Sequence, residues 1–151
     1  MKQWNSVDEV LDFAIGNEEE AMNFYNDMAG KMDSPAMRTV FEEFAREEEG
    51  HKAKLLKVKT SGGFNPSSAA IMDLKIGDYL VEVTADKDTS YQDILILAMK
   101  KEKAAFKLYM DLHENVDDAD LKSLMLALAQ EEAKHKLRFE IEYDDNFLKF
   151  M

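Results

Sequence analysis

Six residues in this chain of 151 could hold a cation: Glu18, Glu48, His51, Glu102, Glu132 and His135. Glu48 and His51 stand three positions apart, as do Glu132 and His135, and on a helix that spacing puts both side chains on one face. The set also repeats. Glu18 and Glu102 are separated by 84 positions, and so are Glu48 and Glu132, and His51 and His135. Carboxylate oxygens and imidazole nitrogens without sulfur suit iron or manganese, with zinc also able to fit. A single Glu-x-x-His would be ordinary on the wet face of a helix in so acidic a chain. Two copies at one offset, each with a partner glutamate, are not.

The elements that must carry these residues are helices, and their starts are written in the caps. Ser6-Val7-Asp8-Glu9 is a capping box, and Ser34-Pro35 pairs an N-cap serine with proline at the first helical position. Ser90-Tyr91-Gln92-Asp93 and Asp118 open two more helices. The pattern predicts helices over about 6–30, 34–60, 90–115 and 118–146, with Ser61-Gly62-Gly63 stopping the second. Ser6 and Ser90, Ser34 and Asp118, and Tyr25 and Tyr109 share the offset of 84. An internal duplication of a helix pair accounts for all of them.

Read at alternating spacings of four and three, each helix shows a seam that faces a bundle core. The first seam is Val7, Leu11, Ala14, Glu18, Ala21, Tyr25 and Met28, and the second is Met37, Phe41, Phe44, Glu48, His51, Leu55 and Val58. The third runs Tyr91, Leu95, Ala98, Glu102, Ala105, Tyr109 and Leu112. The fourth runs Leu121, Met125, Leu128, Glu132, His135 and Phe139, with Glu142 near its end. The middle of every seam is polar, and there the side chains are only Glu and His. If consecutive helices are antiparallel, all six reach one level inside the bundle. Burying an unpaired carboxylate costs several kcal/mol, and four together repel. Two divalent cations would neutralise them and leave both imidazoles neutral. One Glu from each of two helices, with Glu-x-x-His from each of the others, is the di-iron carboxylate arrangement of ferritin-like bundles. Within Glu18-Glu19-Glu20 and Glu47-Glu48-Glu49 only the seam member is a candidate ligand. His113, off the seam, reads as a surface residue. Tyr25 and Tyr109 read as core tyrosines, or as hydrogen-bond donors to a ligand carboxylate, two turns from Glu18 and Glu102.

The expected fold is therefore all-α: a single four-helix domain over residues 1–151, with a long crossover, 61–89, between the second and third helices. A helix of 25 residues spans about 37 Å, which the crossover can traverse at about 3.3 Å per residue, so helices two and three would run parallel. Whether 69–83 holds a short helix or an extended segment stays open. The formal charge of -12 disfavours nucleic acid and anionic membrane as partners. No cysteine is present, which removes disulfides, thiolate zinc sites, iron–sulfur clusters and a cysteine nucleophile. The opening Met1-Lys2-Gln3-Trp4-Asn5-Ser6 has no apolar leader segment, so a cytoplasmic location is the expectation.

Four segments then resemble the rubrerythrin branch of the ferritin-like superfamily: Ala14-Ile15-Gly16-Asn17-Glu18 through Phe24-Tyr25, Glu47-Glu48-Glu49-Gly50-His51, Lys101-Glu102 through Tyr109, and Gln130-Glu131-Glu132-Ala133-Lys134-His135. The resemblance implies two iron ions held by Glu18, Glu48, His51, Glu102, Glu132 and His135, with Glu48 and Glu132 bridging. It implies a redox enzyme that reduces hydrogen peroxide or dioxygen and works as a homo-oligomer, a dimer being the simplest. Full rubrerythrins carry a four-cysteine rubredoxin domain. Without cysteine, the electrons must come from a separate donor such as a rubredoxin, or from a small molecule. The family often has a further carboxylate three residues after the third-helix ligand, which lets an iron shift on oxidation; here that position is Ala105. Iron storage of bacterioferritin type, and di-iron oxygenation of an organic substrate, are the alternatives that the same ligand pattern serves.

Overall fold

The structure, a computed structural model, describes residues 4, 6–62, 71, 73–81, 85–86 and 88–148. Four helices dominate them: α1 (Val7–Ala29), α2 (Pro35–Thr60), α3 (Tyr91–Asn115) and α4 (Ala119–Tyr143). Each begins where its cap predicts. The Ser6 hydroxyl accepts from the Glu9 amide at 3.2 Å and Ser34 from Met37 at 3.3 Å. Ser90 accepts from Asp93 at 3.1 Å, and the Asp118 carboxylate from Leu121 at 2.9 Å. These bonds satisfy amides that the first turn leaves without an intrahelical acceptor. At the end of α2, Gly62 takes a φ of 108°, a left-handed conformation that suits glycine and stops the helix.

The chain divides into two compact units, Met1–Ile76 and Gly77–Met151. In the first, α1 packs along α2. The turn between them is short, and the pairing of Lys59 with Asp12 and of Lys52 with Glu19 (3.3 Å) gives an antiparallel hairpin. Leu11, Ala14, Phe41 and Leu55 are fully buried, and the buried Tyr25 ring lies 5.8 Å from Phe41 and 6.1 Å from Phe44. In the second unit α3 packs along α4, again antiparallel: Tyr91 donates to Glu142 at one end, and His113 meets Lys122 at the other. Leu95, Leu112, Met125, Leu128 and Phe139 are buried there.

Several expectations shift in detail. Phe44, Tyr91, Ala105 and Leu121 are half-buried seam residues, because they sit where a seam drifts off its helix face. His113 is also half-buried. Its Nδ1 lies 2.7 Å from the Lys122 carbonyl oxygen, and the Lys122 ammonium donates to the His113 carbonyl at 2.7 Å, which fastens the turn between α3 and α4. Beyond Tyr143 the chain continues as one π-helical turn, Asp144–Leu148, where Phe147 packs on Tyr143 at 5.2 Å and on Tyr91 at 6.1 Å. In the crossover, a short 3-10 helix forms over Ile76–Tyr79. Residues 63–70, 72, 82–84 and 87, on which part of the expected crossing path falls, lie outside the described residues. Among those described, no helix is long and apolar enough to cross a membrane.

Candidate metal centre

The seam register delivers the chemistry. Glu18 sits mid-way along α1, with Glu48 and His51 one turn apart on the facing stretch of α2. All three are buried, at 2%, 1% and 4% exposure. The His51 Nδ1 lies 3.3 Å from a Glu48 oxygen and 3.5 Å from a Glu18 oxygen. One ligand atom from each of the three falls within 4.8 Å of the others. The neighbouring Glu19, Glu20, Glu47 and Glu49 are exposed, so the acidic runs contribute only their seam members.

The second unit repeats the arrangement. Glu102 on α3 and Glu132 and His135 on α4 are buried at 1%, 1% and 2% exposure. The His135 Nδ1 stands 3.5 Å from a Glu102 oxygen, the same separation as in its counterpart pair. Ligand atoms from Glu102, Glu132 and His135 again lie within 4.8 Å of one another. The structure thus brings the six candidate residues together as two triads, each described within its own unit. Tyr25 and Tyr109 are buried two turns along α1 and α3 from Glu18 and Glu102.

The electrostatics follow from crowding two carboxylates around one imidazole. Burial pulls the His51 pKa down, but hydrogen bonding and charge from Glu18 and Glu48 outweigh it and raise the group from 6.5 to about 9. At neutral pH the imidazole therefore stands in for a cation. A divalent ion placed among these atoms would take over that task with higher charge. The donor set fits such an ion: oxygen and imidazole nitrogen only, drawn from rigid helical positions, as iron, manganese and zinc accept. Glu142, the remaining seam acid, is otherwise engaged. It takes the Tyr91 hydroxyl and the Arg138 guanidinium (3.5 Å), and anchors the ends of α3 and α4.

Sequence reasoning missed one polar anchor. Tyr79, 3% exposed, donates to Asp111 at 2.7 Å and ties the crossover to α3. The partners are 32 positions apart, and no local pattern announces them.

The comparisons with known proteins bear on the family and the fold. The sequence model of the Rubrerythrin family matches residues 9–143. A solved structure from Thermotoga maritima, described as a ferritin-like diiron-carboxylate protein, superposes with a TM-score of 0.76 at 21% identity, covering 95% of this chain and 97% of that one. A hypothetical protein from Pyrococcus furiosus superposes with a TM-score of 0.70 at 28% identity, covering 93% of this chain and 89% of that one. No curated protein matches. The backbone likeness makes the fold ferritin-like and all-α, as the four seams predict.

Proposed function

This chain belongs to the rubrerythrin family, and from that premise we propose that it is a non-haem di-iron oxidoreductase. Residues 1–151 would act as one domain, with Glu18, Glu48, His51, Glu102, Glu132 and His135 supplying the ligands for two iron ions. The substrate is hydrogen peroxide, or dioxygen, and a separate donor restores the ferrous state. The strongest support is that both hairpins sink the same three donors out of water, with none of the six more than 4% exposed. Carboxylates buried at that density call for cations.

When bound, two ferrous ions supply one electron each to an O–O bond and polarise it as Lewis acids. Reduction of hydrogen peroxide to two waters consumes those two electrons and two protons. The chain's own residues set the conditions. The glutamates balance the metal charge, and each imidazole turns Nδ1 towards its carboxylates. The apolar seam on either side keeps bulk water away. Tyr25 and Tyr109, buried two turns from Glu18 and Glu102, would orient ligand carboxylates from outside. Ala105 offers no oxygen, so that position would supply no further ligand to an oxidised metal. Stopped-flow mixing of anaerobic ferrous protein tests the reading. Oxidation by peroxide is expected to outpace oxidation by dioxygen at least about tenfold, and a rate no faster than with dioxygen removes the peroxidase assignment.

His51 adds a pH dependence. Its folded-state pKa of about 9 lies above the ordinary 6.5, so it stabilises the metal-free fold fully below about pH 6.5, and that contribution is lost as pH rises through about 9. Metal binding runs the other way, because an incoming ion must displace the proton. Apparent affinity is expected to tighten about tenfold per pH unit up to about 9 and then level off. Melts of chelator-treated protein and metal titrations in the same buffers read both trends. An affinity flat across this range would exclude His51 as a ligand.

A further inference from the structure

A groove of about 520 Å³ runs between α3 and the crossover residues 78–81. On the α3 side it is lined by Leu97, Lys100, Ala104 and Lys107, whose 3, 4, 3 spacing defines one helix face, nearly opposite the face that carries Glu102. Lys103 joins the rim from one position along. The other wall is anchored: the Tyr79 hydroxyl is bonded to Asp111 at 2.7 Å, and the Lys107 ammonium lies 5.7 Å from the Tyr79 ring centroid. That anchor holds Val81 in the lining and leaves the neighbouring Leu80 62% exposed at its edge.

Two features set this groove apart from ordinary surface. Lys107 is committed to Asp111 at 3.1 Å, but Lys100 and Lys103 make no hydrogen bond or ion pair among the described residues, in a chain of net charge -12 with acids in excess. Asp78 is the one acid in the lining. The internal repeat supplies the second feature. The α1 counterparts of Lys100, Lys103, Ala104 and Lys107 are Gly16, Glu19, Glu20 and Asn23. The helix pair therefore does not require positive charge on this face; α3 alone has acquired it, beside the apolar Leu97, Leu80 and Val81.

We propose that this groove binds a small amphipathic organic anion: an apolar or aromatic body lying on Leu80, Val81 and Leu97, with a phosphate or carboxylate neutralised by Lys100 and Lys103. The volume lies within the range of small-molecule sites. A membrane surface or a nucleic acid would meet the acidic surroundings as well as these few lysines, whereas a small ligand meets only the groove. The site shares no residue with the metal-binding triads, so its test is independent of theirs.

Flavin mononucleotide and 1-naphthyl phosphate serve as probes, titrated against the intact protein at low salt by fluorescence. Riboflavin and 1-naphthol are the matching neutral controls. At least one phosphate probe is expected to saturate below about 1 mM, and its neutral control to bind about tenfold more weakly. Lys100→Gln/Lys103→Gln, at two exposed positions, is expected to weaken the phosphate probe about tenfold while leaving the control unchanged. Leu80→Asp should weaken both. Failure of both probes to saturate, equal binding of the neutral control, or undiminished binding to the double-lysine variant would each overturn the proposal.

Discussion

A His51→Ala chain is expected to take up at most one iron ion where the parent takes two, and to melt about 10 °C lower once chelated. Both effects come from the same few atoms. The His51 Nδ1 is 3.3 Å and 3.5 Å from the oxygens of Glu48 and Glu18, and all three side chains are buried. Removing the imidazole leaves two carboxylates crowded together without a cation, so one must take up a proton or the hairpin must open. Breaking a buried ion pair by deleting one partner costs about 3–5 kcal/mol. At this chain length each kcal/mol is worth about 2–4 °C. His135→Ala should behave alike, because His135 keeps the same 3.5 Å separation from Glu102. Metal content after anaerobic reconstitution, with calorimetry on the chelated sample, measures both. Two full equivalents of iron in the variant would refute the ligand assignment.

Glu48→Gln should act on the loaded protein far more than on the metal-free one. The amide keeps the shape of the side chain and removes its charge. Repulsion with Glu18 falls in the metal-free state, but the His51 pKa also moves back down and its stabilising contribution shrinks, so the two effects oppose and that state should change little. The loaded state loses a charged donor. With metal at a hundred times its dissociation constant the parent gains about 2.7 kcal/mol, equivalent to roughly 5–10 °C here; the variant should gain almost none. A structural ion pair with no metal role predicts no metal-specific change. Equal metal-induced shifts in melting temperature for parent and Glu48→Gln would defeat the assignment.

Much of this was legible before any coordinates. The caps at Ser6, Ser34, Ser90 and Asp118 fix the helix starts because a side-chain acceptor three residues before an amide is a local signal. The triads were legible because a charged side chain on an apolar seam conflicts with burial, and that conflict can be read from spacing alone. The misses share a cause. Tyr79 reaching Asp111, Phe147 turning back onto Tyr91, and His113 clasping Lys122 all depend on partners that hydrophobic periodicity does not pair. The π-helical turn at Asp144–Leu148 sits where α4 was expected to continue to about 146. There the Asn146 side-chain amide donates to the Glu142 carbonyl and carboxylate, at 2.8 Å and 3.0 Å. α4 also carries the exposed Leu137 and Ile141 beside its buried seam, so its apolar residues mark more than one face.

The two hairpins share one register, and this makes the molecule its own reference. Interior substitutions on α1 and α2 have twins on α3 and α4: what is done at residue 51 can be done at 135, within one polypeptide, one buffer and one measurement. Where twin substitutions give equal effects, the cause lies in what the copies have in common. Any inequality reports what time has written differently on them, such as Phe24 facing Leu108 or Phe44 facing Leu128 in the alignment of the halves.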